Sequence, residues 1–149
     1  MGLRITGLST VIANMRRTEE KVGAESLSAL RNGADLLVKM ARRNAPIDEG
    51  DLESAIVAIE SRNRTALGRF GATNIQVGVD PSKLDLERRK GFDYSIPMHE
   101  STYNLGPLSE AKQAGQQEIV GPKYLERAMT ELRDKIQQKV EEAIKRAIQ

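Results

Sequence analysis

An α+β fold is expected for this chain of 149 residues: a long N-terminal helix, a small antiparallel sheet of three or four strands, and a long C-terminal helix packed on the sheet. Apolar residues recur at helical spacing from Leu8 to Arg43 and again from Leu125 to Ile148. Between them, Ser54 to Arg62 and Ala72 to Asp80 carry β-branched residues, the second in period-two alternation. Helical patterns flanking an extended middle predict helices on one face of an antiparallel sheet, in a single domain over residues 1–149.

In the first helical stretch, Leu8, Val11, Ile12 and Met15 form one apolar patch, and Val22, Leu30, Leu37 and Met40 continue it beside Ala29, Ala34 and Ala41. At roughly 1.5 Å per residue a continuous helix would be about 50 Å long, more than a domain of this size needs for its own core. Its beginning, residues 1–22, is therefore expected to project or to bind a neighbour. Arg16 to Lys21 contains no apolar residue and Gly23 follows. A break near residues 17 to 24 and an unbroken helix with a solvated stretch are both open.

The helix should stop at or just before Asn44, because Pro46 has no amide proton and pushes Ala45 out of the α region. Gly50 then allows a positive φ, so residues 43–52 form a corner between helix and strand. The two strands that follow are joined by residues 63–71, a Gly-punctuated hairpin connection. Arg62, Arg64 and Arg69 stand there with Leu67 and Phe70, and arginine beside an apolar aromatic is what partner surfaces favour, so these five residues are the candidate interface.

Asp80-Pro81 closes the second strand, and a charged connection containing Glu87-Arg88-Arg89-Lys90 leads to Phe92–His99, a third short strand with Pro97 at an edge or end. Tyr103 to Ile119 is polar and reads as a loop with a partial helix. Gly121-Pro122 opens the last helix, whose stripe is Leu125, Met129, Leu132, Ile136, Val140, Ile144 and Ile148. Glu131 with Lys135, Glu141 with Lys145, and Glu142 with Arg146 are surface pairs in the favourable order.

With three Tyr, two Phe and no Trp, the core must be thin and aliphatic, gaining burial against other subunits. Basic and acidic residues number 23 and 21, a net charge of +2, so no overall basic excess points to nucleic acid. Cysteine is absent, which removes thiolate chemistry. No apolar run approaches the ~20 residues of a membrane span and no signal-peptide pattern opens the chain, so a protein made in the cytoplasm, without membrane contact, is expected. His99 is the only histidine, and no nucleophile pair or metal cluster forms around it; no catalytic residue, metal or cofactor is expected. One enzyme pattern exists: Asp80 at a strand end with Glu110-Ala111-Lys112, the kind of carboxylate and lysine set that holds Mg²⁺ in nucleases. With Arg62, Arg64, Arg69 and the Arg88-Arg89-Lys90 run it defines the alternative, a small nucleic-acid-binding or nuclease-like protein.

Three segments resemble a known family. Ala45-Pro46-Ile47-Asp48-Glu49-Gly50-Asp51-Leu52-Glu53-Ser54-Ala55-Ile56, Tyr94-Ser95-Ile96-Pro97-Met98-His99-Glu100-Ser101-Thr102 and Gly121-Pro122-Lys123-Tyr124-Leu125-Glu126-Arg127-Ala128-Met129 are similar, in order, to signatures of tailed-phage head-tail joining or tail-completion proteins. That neck family is typified by the tenth gene product of a lambda-like phage. The resemblance implies a structural virion protein, assembled in the host cytoplasm, whose subunits form a homo-oligomeric ring, most simply a hexamer. Its partners would be the neighbouring neck, connector and tail proteins, with DNA only as cargo passing through the ring.

Overall fold

The computed structural model describes residues 8–47, 49–63, 72–87 and 90–149. Helix α1 (Leu8–Asn44) runs for 37 residues, continuing through residues 17 to 24, so the unbroken alternative is the one realised. It ends where Pro46 requires: the Ala45 amide still donates to the Ala41 carbonyl at 2.8 Å, and no helical bond follows it. Gly50, at φ +93°, turns the chain into a five-residue helix, α2 (Asp51–Ala55). A side chain at that φ would be strained, which is why glycine suits the corner.

Strand β1 (Ile56–Asn63) pairs antiparallel with β2 (Ala72–Val79), with Ile56 opposite Val79 and Asn63 opposite Ala72. Ile56, Ala58 and Glu60 therefore share a face with Val79, Val77 and Ile75, and this face meets α1. Arg31 of α1 grips Glu60 through two hydrogen bonds of 2.8 and 3.0 Å, and Arg42 donates twice to the Ile56 carbonyl. On the outer face Ile59 is 56% exposed. Among the described residues the sheet has two strands.

The expected third strand is a correction. Phe92–His99 does not pair with the hairpin; its second part forms a six-residue helix, α3 (Ser95–Glu100). The Asp93 carboxylate accepts from the Ser95 amide and hydroxyl at 2.9 and 2.6 Å, seeding the turn. Pro97 then falls in the first helical turn, where no amide proton is needed. Before α3 comes a 3-10 turn (Pro81–Lys83), and after it α4 (Pro107–Ala114).

Helix α5 (Tyr124–Ile148) has 25 residues and lies antiparallel along α1. The helices approach so closely at Gly33 that a Cβ there would stand 2.8 Å from Ile136 Cγ2. It is α1 that lies along the sheet; α5 joins the common core through its first turns, where Tyr124 and Ala128 meet Ala41, Ala45, Leu52, Ala55, Ile56 and Leu84. Tyr124 and Ile56 are the largest side chains wholly removed from solvent. The core is thin, as the composition implied, and alanine fills much of it.

Burial on α5 follows Tyr124, Ala128, Leu132, Ala143 and Ala147, so the buried edge is rotated from the expected stripe towards its small residues. Met129 and Ile148, which the periodicity places on the stripe, are 47% and 63% exposed. Along the polar side Gln137 and Gln138 donate to Glu141 and Glu142. At the start of α1 every residue from Leu8 to Lys21 is exposed. With Gly33 level with Ile136, equal rise along two antiparallel helices brings Ile148 level with about residue 21 of α1.

Candidate functional site

The corner after α1 is the most heavily tied point of the molecule. A helix leaves its last carbonyls without intrahelical partners, and here the 112–127 segment supplies partners for those of Arg42, Arg43 and Asn44, and for that of Ala45 just beyond them. Lys112 Nζ donates to the Arg42 and Ala45 carbonyls at 2.7 Å each and to the Glu53 carboxylate, which uses all three of its protons. Gln116 Nε2 reaches the Arg43 carbonyl at 2.9 Å. The Gly121 amide donates to the Asn44 carbonyl at 2.9 Å. Arg127 spreads its guanidinium over the Ile119, Gly121 and Pro122 carbonyls and touches that of Asn44 at 3.4 Å. Cations at this negative end of the helix dipole are doubly favourable. Burial lowers the Arg127 pKa.

The three family-like segments, far apart in sequence, converge here. Lys123, at φ +59°, places its amide 2.8 Å from the His99 carbonyl, and its ammonium on Glu100. The Tyr124 ring stands edge-on to His99 with centroids 4.8 Å apart, and its hydroxyl faces the Ser95 carbonyl at 3.4 Å. Hydrogen bonds from Lys123, then from His99, hold the Glu100 carboxyl below its ordinary pKa. Glu100 raises that of Lys123, and burial raises that of the Tyr124 hydroxyl.

Between the corner and α3 lies an open cleft of about 220 Å³. Leu52, Met98, Tyr94 and Tyr103 give it apolar and aromatic lining, and Glu49, Asp51 and Ser109 line it as well. Ser109 Oγ donates to the Ile47 carbonyl and accepts from the Ile47 amide, while the Tyr103 hydroxyl donates to the Met98 carbonyl, so the walls are fixed by hydrogen bonds. Sequence reading missed this cleft. Tyr94 and Tyr103 carry no local signal of a site, and only the turn of α3 brings them to the corner.

Of the five candidate interface residues, Arg62 is described: its exposed side chain sits 3.4 Å from Glu60 at the far end of the hairpin. Arg64, Leu67, Arg69 and Phe70 lie outside the described residues. His99 belongs to α3, not to a strand end. The nuclease-like pattern does not assemble. Asp80 Oδ1 caps the 3-10 turn through the Ser82 amide and hydroxyl, and Ser82 lowers its pKa. Glu110 points to solvent from α4, and the three protons of Lys112 are committed to α1 and Glu53. Among the described residues no group of three or more His, Cys, Asp or Glu is placed to hold a metal, and no helix is long and apolar enough to cross a membrane.

No curated protein and no solved structure matches the chain. Residues 9–84, which take in α1, the corner and the whole hairpin, match a family described as "Bacteriophage HK97-gp10, putative tail-component"; spanning just over half of the chain, the match makes this protein a member of that phage family.

Proposed function

We propose that this protein is a structural component of the virion that completes the tail or joins head to tail in the neck, acting as a ring-forming subunit, most simply in a hexamer. The observation that carries the reading is the family match over residues 9–84. Two structural features support assembly with further copies. A two-stranded sheet with an apolar residue on its outer face is a marginal element by itself and gains from a neighbour. Leu8, Val11, Ile12 and Met15 present a second uncovered apolar patch on the start of α1, with Leu8 63% and Met15 67% exposed. We read that segment, up to about residue 22, as projecting from a single domain, with neighbouring neck, connector and tail proteins as partners and DNA only passing through.

Finished particles test this directly. The protein should be found in them in several symmetry-related copies at the head-tail junction by electron microscopy, and a single copy, or none, refutes the ring. The reading also assigns the protein no catalytic step and no cofactor. Supercoiled DNA incubated with it and Mg²⁺ or Mn²⁺ should stay intact, and cleavage that vanished in Asp80→Ala and Glu110→Ala would revive the nuclease alternative.

A further inference from the structure

Helix α1 outruns the helix that covers it, and the excess carries the same seam. Leading back from Gly33, which meets Ile136 of α5, Ala29, Ser26 and Val22 are half-buried at alternating steps of four and three, the heptad rhythm of two helices packed along their length. The sheet takes a different side of α1, marked by Arg31 and Arg42. Continued towards the N-terminus by the same steps, the α5 seam runs through Glu19, Met15, Ile12 and Leu8, all exposed. Equal rise from the Gly33–Ile136 contact puts Ala147 level with Val22. Helix α5 thus ends where the uncovered stretch begins, with Ile148 63% exposed at the junction.

The covering helix has a constrained direction. From Val22 onward the line along the seam belongs to α5, so a helix parallel to α1 would run into it, whereas an antiparallel one lies end to end with α5 and points away. A second copy of the same segment meets this requirement in one register. With Leu8 opposite Glu19 and Ile12 opposite Met15, the overlap is residues 8–19, the stretch α5 leaves free. Glu19, the only charged residue on this part of the seam, then stands at each end of the overlap, where its carboxylate reaches water. A slide of one heptad would set Glu19 against Met15 in mid-seam, bring Arg16 against Arg16 and contest Val22 with α5, so charge burial and like-charge contact oppose it. Residues 8–20 carry two Arg and two Glu, so two copies approach without net repulsion.

We propose that residues 8–19 of two copies pair antiparallel, each extending the seam that the other's α5 leaves unfinished. The contact is two-fold, the same patch on both subunits, so it joins copies in pairs and does not itself close a ring. It goes beyond the ring reading and does not depend on it. Three turns of helix bury less than the ~800 Å² per partner of a standard stable complex, so the pair is a reversible one, with the purified protein passing from monomer towards dimer between about 10 µM and 1 mM.

Sedimentation equilibrium over that range reads the pairing, and introduced thiols read its direction, since the chain has no cysteine. Ile12→Cys and Met15→Cys are made in separate, differently tagged copies, mixed and oxidised; a disulfide needs the two Cα atoms within about 7 Å. The expected result is a mixed dimer at least ~10-fold above either same-variant dimer, because Ile12 faces Met15 only in the antiparallel register. Ile12→Glu should weaken dimerisation at least ~10-fold with the thermal midpoint of the dilute monomer unchanged, since the side chain is exposed there. Met129→Glu, which changes an exposed apolar residue on α5, should leave dimerisation as it was. Protein that stays monomeric to 1 mM, same-variant disulfides in excess, or a dimer indifferent to Ile12→Glu overturns the proposal. None of these results bears on the virion reading, which finished particles test separately.

Discussion

Tyr124 joins the final helix to the rest of the molecule, and two physical properties of its side chain are separately measurable. Its ring is wholly buried in the core, whereas its hydroxyl makes only a long contact of 3.4 Å with the Ser95 carbonyl. Tyr124→Phe should therefore cost about 1 kcal/mol or less, and Tyr124→Ala about 3–5 kcal/mol, both read from urea unfolding. Burial raises the pKa of this hydroxyl, so the unfolded chain ionises before the folded one. Stability is then unaffected below about pH 10 and falls as pH rises beyond it. Tyr124→Phe should flatten that alkaline fall without abolishing it, since burial also raises the pKa of Tyr103. Gly33 tests packing instead. Its missing Cβ lets α5 approach, with Ile136 Cγ2 only 2.8 Å from where that atom would stand. Gly33→Leu should destabilise by about 1–3 kcal/mol through overpacking. Adding Ile136→Ala should cost less than the sum of the two single changes, because the clash is then gone.

At the scale of elements, the end of α1 is stabilised by residues it meets only in three dimensions. Lys112 gives its three protons to Arg42 O, Ala45 O and the Glu53 carboxylate, and a compact ammonium suits those convergent acceptors better than a planar guanidinium. Lys112→Met should cost about 2–3 kcal/mol, from two carbonyls and a carboxylate left without their charged donor. Lys112→Arg should recover less than half of that, with the urea m-value unchanged in both variants. Nothing near Lys112 in sequence advertises this role, which belongs to the fold. The third strand shows a different limit of local reading. Tyr94, Ile96 and Met98 alternate as a strand would, and Pro97 suits a strand edge, yet the same proline fits the first turn of a helix. Six residues are too few for periodicity to decide, and the Asp93 bonds to Ser95 settle the outcome.

For the whole molecule, the hairpin segment is where folding and assembly should come apart. Arg64→Ser, Arg69→Ser and Phe70→Ser made together should leave the thermal midpoint nearly unchanged, because surface changes away from a core usually fall within about ±0.5 kcal/mol each. The same variant should produce filled heads and finished tails that fail to join, counted by electron microscopy and infectivity. Normal infectious particles would show that the segment makes no essential contact. Lost solubility would instead place Phe70 in the core.

What the chain determines locally is the set of long elements and their ends. Two extended helical periods, the Pro46 stop, the Gly50 turn and the β-branched hairpin each rest on residues within a few positions of one another, and α1, β1, β2 and α5 follow them closely, whereas the short helix α2 stands where the corner was expected to lead directly into the strand. Tertiary structure alone decides which face of each helix is used. The stripe on α5 is broad enough for several rotations, and close approach at Gly33 selects the one that buries Ala128, Ala143 and Ala147 while leaving Met129 and Ile148 in solvent. It alone also builds the cleft, because Asp51, Tyr94 and Tyr103 become neighbours only after α3 turns and the 112–127 segment closes over the end of α1. Local propensity acts over a turn or two of chain, whereas a site made by three distant segments exists only once their shared burial has been gained.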